Sequence, residues 1–248
     1  MPSTPNAAQK IVAVEANLFN LPLEEVLSDA KHGDHTHFEL VIATVRLADG
    51  SEGTGYTYTG GKGGHAIKAM IDHDLAPFLT GQPANDVEAL YEAMQWHVHY
   101  VARGGVASFA ISAVDTALWD MVGKASGQPL HRLFGARRDR IKAYASGGLW
   151  LSQTIDELLA ESEGFVQQGF RAMKLRIGSE KAQKDIERVR VLRESLGDDI
   201  ELMVDANQAF NVKQAIRLGR ELEQFNLTWL EEPVLAYDLE GHRRVRDA

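Results

Sequence analysis

Three short apolar segments of the sequence carry polar residues whose types and spacing could do chemistry. They are Lys174 and Arg176 in AMKLRIG, Asp205 and Asn207 in VDAN, and Glu231 and Glu232 in LEEP. Lys174 and Asp205 are 31 residues apart, and Asp205 and Glu231 are 26 residues apart, close to the length of one βα unit. Ligands of parallel α/β folds gather at the carboxyl ends of strands. We therefore expect these side chains at equivalent heights on adjacent strands, in one site.

Two carboxylates on neighbouring strands repel each other unless a proton or a metal ion lies between them. Asp205 and Glu231 offer the hard oxygen ligands that suit Mg²⁺, which usually keeps several waters. Taken singly, each could equally be a helix cap or a salt-bridge partner. The ordered set on three strands favours a magnesium site, with a third carboxylate expected on a strand that would follow residue 248.

Lys174 and Arg176 are two residues apart in a strand-like segment, so they project from the same face. Exposure to solvent at a strand end would explain two neighbouring cations. An anion, either a substrate carboxylate or a metal-carboxylate cluster, would explain them equally well, and it agrees with the carboxylates on the next two strands.

The elements that must position these residues change character along the chain. Alternation in KIVAVEANLFNL and FELVIATVRLADGSEGTGYTY predicts strands, with Asp49-Gly50 as a hairpin turn. Residues 21–37 and the glycine-rich residues 59–65 read as loops. Apolar spacing from Ala110 predicts a helix that Gly127-Gln128-Pro129 ends. The first part is therefore predicted to be an α+β domain.

Strand-like segments begin at residues 141, 171, 200 and 227, with amphipathic helices between them. This alternation predicts a parallel sheet, either open and doubly wound or a (β/α)8-type barrel. Four βα units are only the first half of a barrel, which would leave strand edges unpaired. Either the sheet is open, or the chain is a fragment, or another chain completes it.

Composition excludes several classes of function. The chain has 248 residues, 44% of them hydrophobic, a formal net charge of -9 and no cysteine. The acidic balance argues against a nucleic-acid partner. The lack of cysteine excludes thiolate catalysis and agrees with a cytoplasmic location. The N-terminus lacks the apolar core of a signal peptide, and we expect no membrane span, since no run approaches about 18 apolar residues.

Two further candidates lie in the predicted loops. His32, His35 and His37 could bind a transition metal through imidazole, although a polar loop is the favoured interpretation. Lys62 lies in GYTYTGGKGG, which does not match the phosphate-loop pattern because no Ser or Thr follows the Lys. We expect a mobile glycine-rich flap there, with Lys62 available to an anionic substrate.

The motifs AMKLRIG, LMVDANQAF, WLEEP and YDLEGH, together with ISAVDTALWDMVGKASGQPLHRLFGA, resemble the mandelate racemase and muconate lactonizing enzyme-like group of the enolase superfamily. Acid-sugar dehydratases are the members they resemble most. The resemblance implies an α+β capping domain over residues 1–135. It also implies the first four βα units of a TIM-type barrel over residues 136–248, and a homo-oligomer. Capping loops near residues 21–37 and 56–64 would set specificity.

The resemblance also implies roles for individual residues. Asp205 and Glu231 match the first two Mg²⁺ ligands, Asn207 a substrate-contacting amide, and Lys174 the first Lys of a Lys-x-Lys pair. Arg176 stands where a second Lys often serves as base. A guanidinium is effectively always protonated, so Arg176 is expected to orient or stabilise the substrate.

A single base suffices for β-elimination of water, whereas racemisation needs proton exchange on both faces of the carbon. The expected function is therefore Mg²⁺-dependent dehydration of a small hydroxy-carboxylic acid, an aldarate or aldonate. The resemblance places the base, a His paired with an Asp, on later strands, so these 248 residues alone are expected to be an incomplete enzyme. The alternatives are a racemase or cycloisomerase of the same group, or a non-catalytic remnant that binds acids or a partner chain.

Overall fold

The computed structural model describes residues 9–248, which form two compact units. The first contains residues up to 23 together with Thr36–Asp139, and the second contains Glu24–His35 together with Arg140–Ala248. Each unit has its own hydrophobic core. The chain passes between the units at residues 23–24, 35–36 and 139–140. The expected division into residues 1–135 and 136–248 stays a prediction.

A three-stranded sheet forms one layer of the first unit. Its strands are β1 (Ile11–Asp29), β2 (Gly33–Leu47) and β3 (Glu52–Thr59), in the order β1-β2-β3. β2 and β3 pair antiparallel, and the predicted turn at Asp49-Gly50 joins them, with Gly50 N donating to Leu47 O at 3.0 Å.

The prediction of a loop over residues 21–37 was wrong. Most of this segment continues β1 and begins β2, so that only a short turn separates the two strands. Strand pairing satisfies the backbone groups of both strands, and polar side chains do not prevent it when they face solvent. Residues 24–35, which are the last part of β1, the turn and the first part of β2, belong to the second unit.

The helices of the first unit are α1 (Gly64–Met70), α2 (Ala76–Leu79), α3 (Val87–His97), α4 (Gly105–Ser126) and α5 (Leu130–Leu133), with a π-helical turn over Ile71–Leu75. The predicted helix from Ala110 is confirmed as part of α4. It ends where the sequence indicated, because Gly127 adopts the left-handed conformation at φ 64° that terminates many helices.

Helix α4 packs closely against β3. A Cβ atom on Gly53 would lie 2.0 Å from the carbonyl oxygen of Ala117, and one on Gly55 would lie 2.1 Å from that of Ala113. Only glycine allows the two backbones to approach so closely. By length and composition α4 is also long and apolar enough to cross a membrane, but core helices often meet the same test and nine of its residues are buried. The expectation of no membrane span stays a prediction.

The second unit contains a parallel sheet. Its named strands are β4 (Ala172–Arg176), β5 (Glu201–Asp205) and β6 (Leu230–Glu231), in the order β4-β5-β6. Helices α6 (Ile155–Gln167), α7 (Ala182–Leu196), α8 (Val212–Leu222) and α9 (Leu239–Arg246) alternate with the strands, and a 3-10 turn covers Glu223–Phe225.

The strand predicted from residue 141 is reduced to one parallel bridge between Ala145 and Met173. Leu149 adopts a positive φ of 56°, which an extended strand does not allow. One further backbone hydrogen bond to β4 is made at the kink itself, where Arg176 N donates to Leu149 O at 3.0 Å. Three named strands are therefore found among residues 140–248, where four were predicted.

The predicted amphipathic helices of this unit are confirmed. Thr154 and Glu157 form a reciprocal capping box at the start of α6, and Asn211 and Gln214 form another at the start of α8. Such boxes satisfy backbone N–H groups that the first turn leaves without partners. The core lies between strands and helices, and includes Leu175, Leu202, Val204, Leu158, Val189 and Leu218. This packing holds the carboxyl ends of the strands in place.

Candidate active site

The polar residues singled out in the sequence meet at the carboxyl ends of three neighbouring strands. Arg176 pairs in register with Asp205, and Asp205 pairs with Glu231. Lys174 pairs with Met203, so it starts two residues below Asp205, and the expectation of equal heights was wrong for Lys174. Its long side chain spans this difference.

Lys174 Nζ lies between the two carboxylates. It is 3.1 Å from Asp205 Oδ2 and 2.9 Å from Glu231 Oε2. Lys174 and Asp205 are buried, and Glu231 is partly exposed. Burial opposes the charge of Lys174, but the hydrogen bonds to Glu231 and Asp205 outweigh it and leave the lysine pKa raised. In this arrangement Lys174 keeps its proton and acts as a positive charge.

Arg176 is buried but incompletely paired. Its Nε lies 3.9 Å from Asp205 Oδ2, an ion pair too long for a hydrogen bond. Within residues 9–248, Nε and Nη1 are both buried without a hydrogen-bond partner. The guanidinium stacks on the ring of Trp150, with Cζ 4.7 Å from the ring centroid. Buried donors of a charged group are costly when unpaired, so this guanidinium is suited to receiving an anion.

Strained backbone follows two of the strands. Asn207, Gln208 and Glu232 have positive φ angles of 44°, 64° and 40°, which are uncommon outside glycine and often occur at functional sites. Asn207 N donates to Asp205 Oδ1 at 2.9 Å, which orients that carboxylate. Asn207 Oδ1 is buried without a partner among the described residues. Its predicted contact with substrate stays a prediction.

Two tryptophans of the site were missed from the sequence. Trp229 Nε1 donates to Glu231 Oε2 at 3.1 Å, and Trp150 lies against Arg176. Trp229 could have been found, because it lies two residues before Glu231 on a predicted strand and so shares its face. Trp150 lies in an irregular segment whose pattern carries no such signal.

Lys62 belongs to the first unit, and the other predicted site residues belong to the second. It is exposed, and its backbone N donates to Thr59 Oγ1 at 3.2 Å. Residues 60–63 form the predicted non-helical glycine-rich segment before α1. A substrate contact by Lys62 stays a prediction.

The residues present fit a magnesium ion. Asp205 and Glu231 each place a carboxylate oxygen against the same Lys174 Nζ, so these oxygens already converge on a positive charge. Both are hard oxygen donors, and Mg²⁺ is commonly bound by one or two protein carboxylates together with waters. Further carboxylate or substrate oxygens could complete its six ligands.

Two family models match the chain. Residues 24–135 match the mandelate racemase / muconate lactonizing enzyme N-terminal domain, and residues 157–248 match the enolase C-terminal domain-like family. The two matches follow one another in the order of the capping domain and the barrel inferred from the sequence motifs.

Characterised relatives carry out more than one reaction. The chain is 42% identical over 95% of its length to 3,6-anhydro-alpha-L-galactonate cycloisomerase of Streptomyces coelicolor, and it covers 65% of that protein. It is 40% identical over 96% of its length to L-talarate/galactarate dehydratase of Salmonella typhimurium, and it covers 61% of that protein. The chain thus spans less than two thirds of the length of either relative.

A crystal structure of L-talarate/galactarate dehydratase from Salmonella typhimurium LT2, liganded with Mg and L-lyxarohydroxamate, superimposes on the whole chain. The TM-score is 0.92 at 38% identity, and the chain covers 65% of that structure. The architecture is therefore a capping domain followed by part of a (β/α)8-type barrel. The alternative of an open doubly wound sheet was wrong.

Proposed function

This chain belongs to the mandelate racemase and muconate lactonizing enzyme group of the enolase superfamily, and from that premise we propose that its protein removes the proton α to the carboxylate of a hydroxy acid. Asp205 and Glu231 would hold Mg²⁺. Lys174 and Arg176 would supply positive charge beside the reacting carboxylate.

A proton α to a carboxylate is very weakly acidic, because its loss places a second negative charge on the same group. When bound, magnesium supplies electrostatic stabilisation of that charge. Lys174 and Arg176 lie on the same face of β4 and add two fixed positive charges in a buried setting. Charges already in position there lower the barrier more than solvent could.

The observation that carries this proposal is the unpaired guanidinium of Arg176. Nε and Nη1 are buried without hydrogen-bond partners among residues 9–248, beside the carboxylate of Asp205. A guanidinium binds carboxylate and hydroxyl oxygens through strong charge-assisted hydrogen bonds. Oxygen atoms of a bound hydroxy acid would supply the acceptors that Nε and Nη1 lack.

Dehydration is the reaction we favour. Because Arg176 does not give up its proton, it cannot serve as a second base on β4, as racemisation would require. Loss of the α-proton followed by departure of the β-hydroxyl as water needs only one base. The likeness to L-talarate/galactarate dehydratase supports an aldarate or aldonate as substrate.

A cycloisomerase is the second candidate. The observation in its favour is the 42% identity to 3,6-anhydro-alpha-L-galactonate cycloisomerase, which is slightly higher than the identity to the dehydratase. Both reactions act on sugar acids, and they differ in the fate of the oxygen atom. Dehydration releases water, whereas cycloisomerisation keeps the mass of the substrate.

The test uses the complete product of the gene, incubated with a panel of aldarates, aldonates and anhydro-aldonates at increasing Mg²⁺. A 2-keto-3-deoxy acid, 18 Da lighter than its substrate because one water is lost, would support dehydration. An isomer of unchanged mass would support the cycloisomerase. If no acid is converted at any magnesium concentration, the proposal fails and a non-catalytic acid-binding protein becomes the better account.

Asp205→Asn and Asp199→Asn form a matched pair for this test. Asp205 is buried at the end of β5, whereas Asp199 is exposed just before the same strand. Asp205→Asn should abolish turnover and weaken magnesium binding, because a carboxylate ligand is lost. Asp199→Asn should behave as the unmodified protein does. Equal loss in both variants would point to a general effect on folding.

A further inference from the structure

We infer that Asp29, His32 and His35 form a second metal site, one for a transition-metal ion such as Zn²⁺. The three residues lie at the turn between β1 and β2, in the part of the hairpin that belongs to the second unit. The sequence favoured a polar loop here, but the structure brings the side chains together. This site is separate in residues and in chemistry from Asp205 and Glu231.

The donor atoms are close to the spacing that a metal ion requires. One donor atom from each side chain can be chosen so that all three lie within 4.8 Å of one another. Asp29 Oδ2 lies 3.0 Å from His32 Nδ1 and 3.2 Å from His35 Nε2. Tetrahedral zinc, with bonds of about 2.0–2.1 Å, keeps its ligand atoms roughly 3.4 Å apart. The two carboxylate-to-imidazole distances therefore need little change.

The remaining adjustment falls on an accessible side chain. The side chains of Asp29 and His35 are 7% and 13% exposed, whereas that of His32 is 56% exposed. His32 can turn toward the ion without disturbing the core. The exposed position of His32 also leaves one side of the ion open to solvent. Water can therefore supply a fourth ligand beside the three protein ligands.

The backbone fixes the carboxylate. Asp29 Oδ1 accepts hydrogen bonds from Lys31 N at 2.9 Å and from His32 N at 2.7 Å. Oδ2 is the oxygen directed to His35, and it also lies within reach of His32. Within the second unit the turn is tied down further, because Leu151 N donates to Ser28 O at 3.3 Å. A carboxylate held in this way is the usual support of a preformed metal site.

The ligand set selects the class of ion. Two imidazoles and one carboxylate suit zinc and its transition-metal neighbours, whereas magnesium prefers oxygen ligands and keeps its waters. Asp205 and Glu231 provide only oxygen donors, as magnesium requires. The two sites should therefore take different ions from a mixture of Mg²⁺ and Zn²⁺.

The test is calorimetric titration of the metal-free protein with Zn²⁺ in excess Mg²⁺, which holds the oxygen site. The variants are His32→Gln, His35→Gln and the matched control His73→Gln, an exposed histidine of the first unit. We expect one zinc per chain in the unmodified protein and in His73→Gln. Loss of one ligand should weaken binding by about 100-fold or more in each of the other two variants, at least as much as loss of a supporting residue.

His32→Gln separates loss of zinc binding from loss of folding, because His32 is mostly exposed and its replacement leaves the core intact. Zinc binding that is absent from the unmodified protein, or equal in all four proteins, would overturn the inference. Asp205→Asn should keep this zinc. Failure of the proposed catalytic function and failure of this metal site are thus observed separately.

Discussion

Lys174 and Arg176 carry the same charge on the same face of β4, but their surroundings differ. Lys174 is held by two carboxylates, at 3.1 Å and 2.9 Å. Arg176 has one distant carboxylate at 3.9 Å and an aromatic ring. The lysine is therefore already hydrogen-bonded to its neighbours, and the arginine is the residue with donors left for a substrate.

This difference predicts the effect of Arg176→Lys. The variant keeps the positive charge but loses the unpaired Nε and Nη1 donors. We expect kcat/KM to fall by about 100-fold, comparable to the loss of one preorganised donor at a reacting oxygen. Steady-state kinetics with a turned-over acid measures the effect. Magnesium affinity should change little, since Arg176 is not a metal ligand in this account.

Arg171→Lys is the matched control for that variant. Arg171 is exposed immediately before β4, and its Nη1 donates to the Phe170 carbonyl at 3.0 Å. Its replacement should leave kcat/KM unchanged. Full activity in Arg176→Lys would contradict the role given to the unpaired guanidinium.

The hydrogen bonds of the Glu39 carboxylate predict that the stability of the fold depends on pH. The backbone hydrogen bond from Gly64 at 2.7 Å, together with that from the Thr59 hydroxyl at 2.9 Å, holds the pKa of Glu39 below its ordinary value. A lowered folded-state pKa stabilises the fold above the unfolded pKa of about 4.3, and this stabilisation is lost as the pH falls through the folded value.

Urea unfolding of the unmodified protein and of Glu39→Gln at several pH values tests this. The stability difference should be largest at neutral pH and should shrink below about pH 4, where the glutamate itself becomes neutral. Exposed Glu24→Gln, which leaves both hydrogen bonds of Glu39 in place, is the control. A difference that grows on acidification would contradict the assignment.

At the scale of elements, close packing of α4 on β3 predicts an unusual sensitivity to one methyl group. Gly55→Ala would place a Cβ 2.1 Å from the Ala113 carbonyl oxygen, so helix and strand must move apart. We expect a loss of about 3 kcal/mol in the free energy of unfolding, the upper part of the range for overpacking. Chemical denaturation measures it.

For Gly164→Ala, the same substitution at another position, we expect the opposite effect on the free energy of unfolding. Gly164 lies inside α6, and a Cβ there would meet nothing within 4 Å. Alanine is favoured over glycine in a helix by about 0.8–1.0 kcal/mol. The variant should therefore be more stable by about that amount. A Gly55→Ala variant as stable as the unmodified protein would contradict the close approach at Gly55, and a destabilised Gly164→Ala variant would contradict the open surroundings of Gly164.

The elements differ in how well the sequence predicted them, for physical reasons. Strands β4, β5 and β6 could be predicted, because buried parallel strands are short apolar runs at a fixed interval. The extension of β1 and β2 was missed, since strand pairing and not side-chain polarity holds residues 21–37 together. The segment from residue 141 was predicted as a strand from its alternation, but the positive φ of Leu149 depends on local packing.

The same limit applies to the site residues. The spacing of the motifs was enough to predict that Arg176, Asp205 and Glu231 lie at one edge of the sheet. The repeat of βα units sets how the neighbouring strands align. Lys174 starts two residues lower on its strand, and it reaches the carboxylates through the length of its side chain, which spacing does not include. Trp150 could not be predicted, since its position beside Arg176 arises from an irregular segment and is seen only when the chain is folded.

At the scale of the molecule, each compact unit buries its own core, and the candidate magnesium ligands all lie in the second. The chain spans about 61–65% of the length of the two curated relatives described above. The catalytic activity therefore stays a proposal. We propose that Asp205 and Glu231 hold the ion that makes the α-proton of a hydroxy acid removable.

The most direct measurement follows deuterium released to water from an aldarate labelled at its α carbons, using the complete gene product. We expect release that requires Mg²⁺, that stops when the metal is chelated, and that is lost in Asp205→Asn but kept in Asp199→Asn. Release that continues without magnesium, or at an unchanged rate in Asp205→Asn, would contradict this proposal.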